Sequence, residues 1–212
     1  MDIFGFVGPS GSGKTLLTRA IEAFFKTKAM GMIPNGYEPI IIEAVKANMH
    51  KEVKPIGDKV VTKEVISHTT RNPRKGEING IHYHFVSVEE FKALEKYEET
   101  IYNGDHYGLT VNAVNEVLRF AEFAIAVVDQ KGIENIRRIT PDIRAIFIKT
   151  TLEVMEEHMR ARGDSEENIA KRLNNAVANN ELEFPGADYV IDNTGELSKT
   201  LGEAIDIIES FR

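Results

Sequence analysis

Apolar residues in this chain recur at two spacings that alternate along its length. Ile3 to Val7 is a short apolar run closed by glycine and proline, the pattern of a buried strand. From Thr15 to Lys28, residues Leu16, Leu17, Ala20, Ile21, Phe24 and Phe25 repeat at helical spacing. The chain therefore opens strand, glycine-rich loop, helix. Residues 29–62 are less regular: GMIPNGYEP carries turn chemistry, IIIEAVKANMH fits a strand or a short helix, and KPIGDKVVTKEVIS reads as a strand. Beyond these, the pattern predicts a short polar helix over 88–98 and an amphipathic helix over 110–122. A strand follows at 124–129, then a helix at 133–139, a strand at 145–150 and a helix ending at Gly163. A long helix over 165–184, a strand at 188–193 and a closing helix at 198–211 complete the chain. Strands alternating with helices predict an α/β protein with a parallel sheet.

Composition narrows the chemistry. At 212 residues, 42% hydrophobic and 28% charged, the chain suits one domain with room for small inserted lobes. A net charge of −7 argues against non-specific binding to nucleic acid or anionic membrane, so any anion site must be a local pocket. With no cysteine, disulfides and thiolate metal sites are excluded. No apolar run reaches the roughly 18 residues of a membrane span. The N-terminus lacks a basic leader, and a cytoplasmic location is the expectation.

GPSGSGKT, comprising Gly8, Pro9, Ser10, Gly11, Ser12, Gly13, Lys14 and Thr15, fits the phosphate-loop pattern in full, between a predicted strand and a predicted helix. Backbone N–H groups and a helix N-terminus can there surround phosphate oxygens. Lys14 would reach the β- and γ-phosphates and the Thr15 hydroxyl would bind Mg²⁺. This points to a nucleoside triphosphate without fixing the reaction, since switches, motors and kinases share the loop.

A second cluster lies in SHTTRNPRKGEINGIHYHF, residues 67–85. Arg71 and Arg74 flank Pro73, and their forked guanidinium groups suit bidentate phosphate binding. Tyr83, and Tyr107 in YNGDHYG, offer phenol donors. Taken alone, RNPRK also reads as a solvated loop. Beside an intact phosphate loop it suggests a second phosphorylated substrate.

That segment closely resembles the monophosphate-binding segment of guanylate kinases. The resemblance extends in order through GPSGSGKT, GDHYG, VDQKGIENIR, RARGDSEENIAKRL and DYVIDN. It implies a P-loop kinase core with a parallel sheet flanked by helices, an inserted monophosphate-binding lobe and a lid. The expected partition is a core of 1–28, 108–150 and 173–212, a GMP-binding lobe over 61–107 and a lid over 151–172. It implies transfer of the ATP γ-phosphoryl group to GMP or dGMP with Mg²⁺, and ATP and GMP as partners. Matching position by position, Ser67 and Glu98 would contact guanine, with Glu99 the neighbouring register. Asp129 would be a second acid near the base. Arg71, Arg74, Tyr83 and Tyr107 would grip the GMP phosphate, Arg162 and Arg172 would clamp the transferring group, and Asn193 would lie near adenine.

The chain also departs from that pattern. Val127 stands where the family often has an acid, and His158 where an arginine opens the lid motif. Residues 29–60 are extra material, of which His50 reads as a lone exposed histidine. Two alternatives remain open on these grounds: a kinase for another purine monophosphate, and a non-catalytic binding module of the same shape.

Overall fold

The structure, a computed structural model, describes residues 2–73, 77–102 and 104–212. Its first sheet is wholly parallel. It is built from β1 (Ile3–Val7), β2 (Val60–Glu64), β7 (Ala121–Val127), β8 (Arg144–Lys149) and β9 (Tyr189–Asp192), in the order β2-β7-β1-β8-β9. A second sheet has the order β4-β3-β6-β5, from β3 (His68–Thr69), β4 (His84–Phe85), β5 (Lys96–Tyr102) and β6 (Asp105–Thr110). The helices are α1 (Lys14–Met30), α2 (Pro39–Asn48), α3 (Val88–Ala93), α4 (Val111–Phe120), α5 (Gln130–Ile139), α6 (Leu152–Ala161), α7 (Glu166–Ala178) and α8 (Leu197–Phe211). Among the described residues no helix is long and apolar enough to cross a membrane.

The near-continuous apolar runs of β1, β7 and β8 follow from burial on both faces of a parallel sheet. One face packs Phe4, Phe6 and Ile125 against Leu17, Ile21 and Phe24 of α1 and Leu201, Ile205 and Ile208 of α8. The other packs Ile3, Val7, Ala124 and Ala126 against Val114 and Val117 of α4 and Ile133 and Ile136 of α5. β2 falls within the stretch expected for the smaller lobe, but it pairs with β7 in the large sheet.

The additional segment 29–60 settles as helix rather than strand. Pro39 occupies the first turn of α2 after an extended Glu38, a position where its missing N–H costs nothing. Ile41, Ala44 and Val45 then share one face and join the core between α1 and α8. Buried Asn48 donates 2.7 Å to the Ser198 carbonyl, and Lys51 pairs with Asp206 at 2.7 Å. The extra residues are thus a third helix on one face of the sheet. His50 is exposed, 2.9 Å from the Ala47 carbonyl.

Three predicted elements need correction. The helix expected over 88–98 stops at Ala93. Its start is strong, a capping box between Ser87 and Glu90, but Leu94 is already extended at φ −74°, ψ 138°. From Lys96 the chain pairs antiparallel with β6, and ladder formation overrides the helical preference of EKYEE. The helix expected to Glu122 ends at Phe120, and Ala121 enters β7 without a loop. The helix expected to Phe184 ends at Ala178, where Asn180 takes the left-handed conformation at φ 52° that asparagine tolerates.

Candidate active site

The phosphate loop lies at the carboxyl edge of the parallel sheet, where such folds place ligands. Gly13 has φ 87°, and a Cβ there would stand 2.4 Å from Asn193 Nδ2, so both conformation and space require glycine. The Asn193 amide donates 2.8 Å to the Ser12 carbonyl and accepts 2.8 Å from Thr200, fixing the loop from behind. The Lys14 ammonium curls into the loop and donates to the Gly8 carbonyl at 2.6 Å, the Pro9 carbonyl at 2.8 Å and Ser12 Oγ at 3.3 Å. Burial lowers its pKa to about 8, with Glu181 opposing and Arg162 adding to the fall. Those acceptors are the contacts a phosphate group can replace. Thr15 is exposed on the first turn of α1. Its hydroxyl is a hard oxygen donor suited to Mg²⁺. Among the described residues no three acidic or histidine side chains converge as a metal cage. Phosphate oxygens and water would therefore complete the shell, as is usual for this ion.

From the lid side, Arg172 donates to Ser10 Oγ and so touches the loop. Arg162 contributes to the field at Lys14, while its guanidinium pairs with Asp164. His158, where an arginine was expected, contacts the Gly11 carbonyl through Nδ1 at 2.8 Å. Arg160 is occupied on the outside by Glu156 and Glu166 at 2.7 and 2.8 Å.

The second sheet assembles the other half of the site. Arg71 makes a bidentate pair with Glu77, both contacts at 2.9 Å. Its guanidinium lies 5.5 Å from the Tyr83 ring, and the Tyr83 and Tyr107 rings are 5.9 Å apart. Arg74 lies outside the described residues. Ser67 is half-buried between β2 and β3, and its carbonyl accepts from the His84 N–H at 2.9 Å.

Glu98 and Glu99 separate cleanly. Glu98 is 9% exposed and faces α5. Burial, reinforced by Asp129, pushes its carboxyl up to about 7, against the Thr100 hydroxyl and the Leu109 backbone. Thr100 bridges the two acids, 3.4 Å from Glu98 Oε2 and 3.2 Å from Asp129 Oδ2. Asp129 also caps α5, accepting from the Gly132 N–H at 2.6 Å. Glu99 points away, 2.6 Å from His106 Nδ1. Gly108 on β6 lets these strands close: a Cβ there would meet Phe91 at 2.9 Å and the Glu98 carbonyl at 3.0 Å. Sequence reasoning did not single out Thr100 or Glu77. No spacing marks a threonine that bridges an acid of its own strand to the acid capping a distant helix, or a glutamate six residues past its arginine in an irregular loop.

A parallel sheet with a phosphate loop at its carboxyl edge, joined to a second sheet that brings an arginine–tyrosine cluster and the buried Glu98, defines an α/β phosphate-loop protein. The family model for guanylate kinase matches residues 42–211. The chain is 37% identical over 155 residues to a guanylate kinase of Haemophilus influenzae (strain 86-028NP), covering 69% of this chain and 73% of that one. It is 33% identical over 191 residues to a guanylate kinase of Escherichia coli (strain K12), covering 87% and 76%. The chain belongs to the guanylate kinase family. The crystal structure of guanylate kinase from Anaplasma phagocytophilum superposes with a TM-score of 0.56 over 99% of this chain and 82% of that one, at 21% identity, and shares the fold.

Proposed function

We propose that this protein phosphorylates GMP or dGMP at the expense of ATP. The observation that carries the reading is the buried Glu98 carboxyl on β5 of the small sheet that also holds the Arg71–Tyr83–Tyr107 cluster, with Asp129 at the start of α5 facing it. Guanine presents N1–H and N2–H₂ as adjacent donors, and a carboxylate accepts from both. The monophosphate would replace Glu77 at Arg71 and take the two phenol hydroxyls, with Arg74 as a further cation and Ser67 near the base. At the other half, the triphosphate would lie in Gly8–Thr15, with Lys14 turning from the loop carbonyls to the β- and γ-phosphates and Asn193 near adenine. Thr15 would hold Mg²⁺, which when bound neutralises phosphate charge. Arg162 and Arg172 would leave Asp164 and Ser10 for the transferring group. Phosphoryl transfer needs positioning and charge neutralisation more than covalent help, and an ionised GMP phosphate needs no general base. Closure of the segment over 151–172 would exclude water as a competing acceptor. The expected location is the cytoplasm.

The test is a panel of monophosphates with ATP and Mg²⁺. GMP and dGMP should be turned over, with AMP, CMP and UMP slower by a factor on the order of 10⁴. A preference for another base would overturn the guanine assignment. ATP binding without any turnover would favour the non-catalytic module.

A further inference from the structure

Glu64 is an acid that neither half of the proposed reaction uses. It ends β2 at the carboxyl edge of the large sheet, one strand beyond β7. The register pairs it with Ile125, on the face that packs against α1, while Val127, the next position of β7 on that face, is apolar. Glu64 Oε2 accepts 2.8 Å from the hydroxyl of buried Thr18, and that hydroxyl also lies 3.1 Å from the carbonyl of Thr15. One hydroxyl proton cannot serve both acceptors fully. Burial raises the Glu64 carboxyl, Glu22 adds to the rise, and only Thr18 and Arg19 oppose it. Arg19 itself is engaged by Glu38. Glu64 is thus a carboxylate with little positive charge near it, bonded to Thr18, which lies one helical turn along α1 from the residue proposed to bind a cation.

We infer that Glu64 is a positioning residue for the divalent cation that accompanies the nucleotide, supplying a carboxylate to the outer shell of a cation held at Thr15. This rests on the cation site proposed above. Thr15 binds as a neutral hydroxyl, so protein charge on that side of the ion would come from Glu64. The competing explanation is structural: Glu64 ties β2 to α1 through Thr18 and does nothing else. Glu64→Gln separates the two, because an amide oxygen keeps the bond from Thr18 while the charge is lost.

The experiment measures ATP affinity by calorimetry with and without Mg²⁺, in the absence of any acceptor, so no turnover enters the reading. The expected result for Glu64→Gln is metal-free ATP affinity equal to or tighter than wild type, with the gain on adding Mg²⁺ reduced about tenfold or more. Mn²⁺ in place of Mg²⁺, followed by its paramagnetic signal, should show the same loss of affinity for the ATP complex. An undiminished Mg²⁺ gain in Glu64→Gln overturns the inference while leaving the cation at Thr15 intact. No Mg²⁺ gain in wild type overturns the cation site itself, and this inference with it. Should Glu64→Gln fold poorly, Glu64→Val is compared with Thr18→Val: both lose the bond between α1 and β2 and only Glu64→Val loses the charge, so a loss of the Mg²⁺ gain confined to Glu64→Val supports the inference and an equal loss in both overturns it.

Discussion

Glu98→Gln tests the acid proposed to read the base through a quantity that a merely structural residue would not move. In the free protein, burial and Asp129 hold the Glu98 carboxyl at about 7, against an ordinary 4.5. Keeping it ionised there costs about 3 kcal/mol at 1.36 kcal/mol per pH unit. Its folded-state pKa lies above the unfolded one, so the folded state binds the proton more tightly. Stability should therefore fall as pH rises from about 4.5 to about 7, and stay lowered above that. Glu98→Gln has no proton to lose. Its melting temperature at pH 8, relative to pH 5, should exceed that of wild type by up to roughly 6–12 °C, at 2–4 °C per kcal/mol for a chain of this size.

Guanine should reverse the sign. Donors from N1–H and N2–H₂ favour the carboxylate, so GMP binding should drive the Glu98 proton off. Calorimetry in buffers of different ionisation enthalpy counts that release. The GMP phosphate, whose own second pKa is near 6, contributes equally in wild type and variant. The difference between them at pH 7 should be on the order of half a proton. Glu98→Gln should also weaken GMP binding by a factor on the order of 10², because its amide N–H₂ opposes the guanine donors. Glu99→Gln, exposed and paired with His106, should change neither reading. Equal proton counts in wild type and Glu98→Gln, or unchanged GMP affinity, would refute the assignment.

Lys14→Ala should keep its fold by circular dichroism and lose at least about a hundredfold in kcat, since a charge contact to the transferring phosphoryl is worth on the order of 3 kcal/mol. Arg71→Lys should raise the KM for GMP about tenfold with little change for ATP, because an ammonium cannot copy the bidentate fork seen with Glu77. Steady-state kinetics with each substrate varied decides it. Asn48→Ala should lower the melting temperature by a few degrees, from about 1–3 kcal/mol for the lost bridge to α8, with kcat at 25 °C unchanged.

What the sequence made legible was what a local pattern can carry. The phosphate loop and α1 were readable because glycine spacing and helical periodicity sit side by side. β7 and β8 were readable because burial on both faces writes a continuous apolar run. The small sheet was not. β3 and β4 are two residues each, and their strand character comes from partners far along the chain. The first residues of β5, Lys96 to Glu98, fall in the expected helix because this stretch has no period-2 apolar face. Its buried members, Tyr97 and Glu98, are adjacent across a break in register between Lys96 and Glu98. A buried glutamate at such a break gives no sequence signal, and the resemblance to the family pointed to Glu98 or its neighbour Glu99 where periodicity pointed to neither. The helix of segment 29–60 was ambiguous for the opposite reason. IIIEAV suits either structure, and the decision lies in Pro39 and in the space between α1 and α8.

The polarity of the site explains how an acidic chain can hold two phosphorylated ligands. Every described cation proposed to meet phosphate already has a partner. Lys14 has the loop carbonyls, Arg71 has Glu77, Arg162 has Asp164 and Arg172 has Ser10. Binding would therefore exchange partners rather than fill vacancies, and each contact would contribute a difference between two charge-assisted bonds. Such an exchange gives modest selectivity for one phosphate over another. Discrimination falls to the other end of the acceptor, where the sign of the charge is reversed. Burial, with Asp129 adding to it, raises the Glu98 carboxyl to about 7, and a ligand offering two donors would offset both. Adenine would bring an unprotonated N1 lone pair against the same acids and offset neither. The antiparallel register pairs Thr100 with Tyr107, setting the acidic end of β5 beside the phenol end of β6. The spacing between the proposed base reader and the proposed phosphate grip would then be set by the backbone hydrogen bonds of this pair.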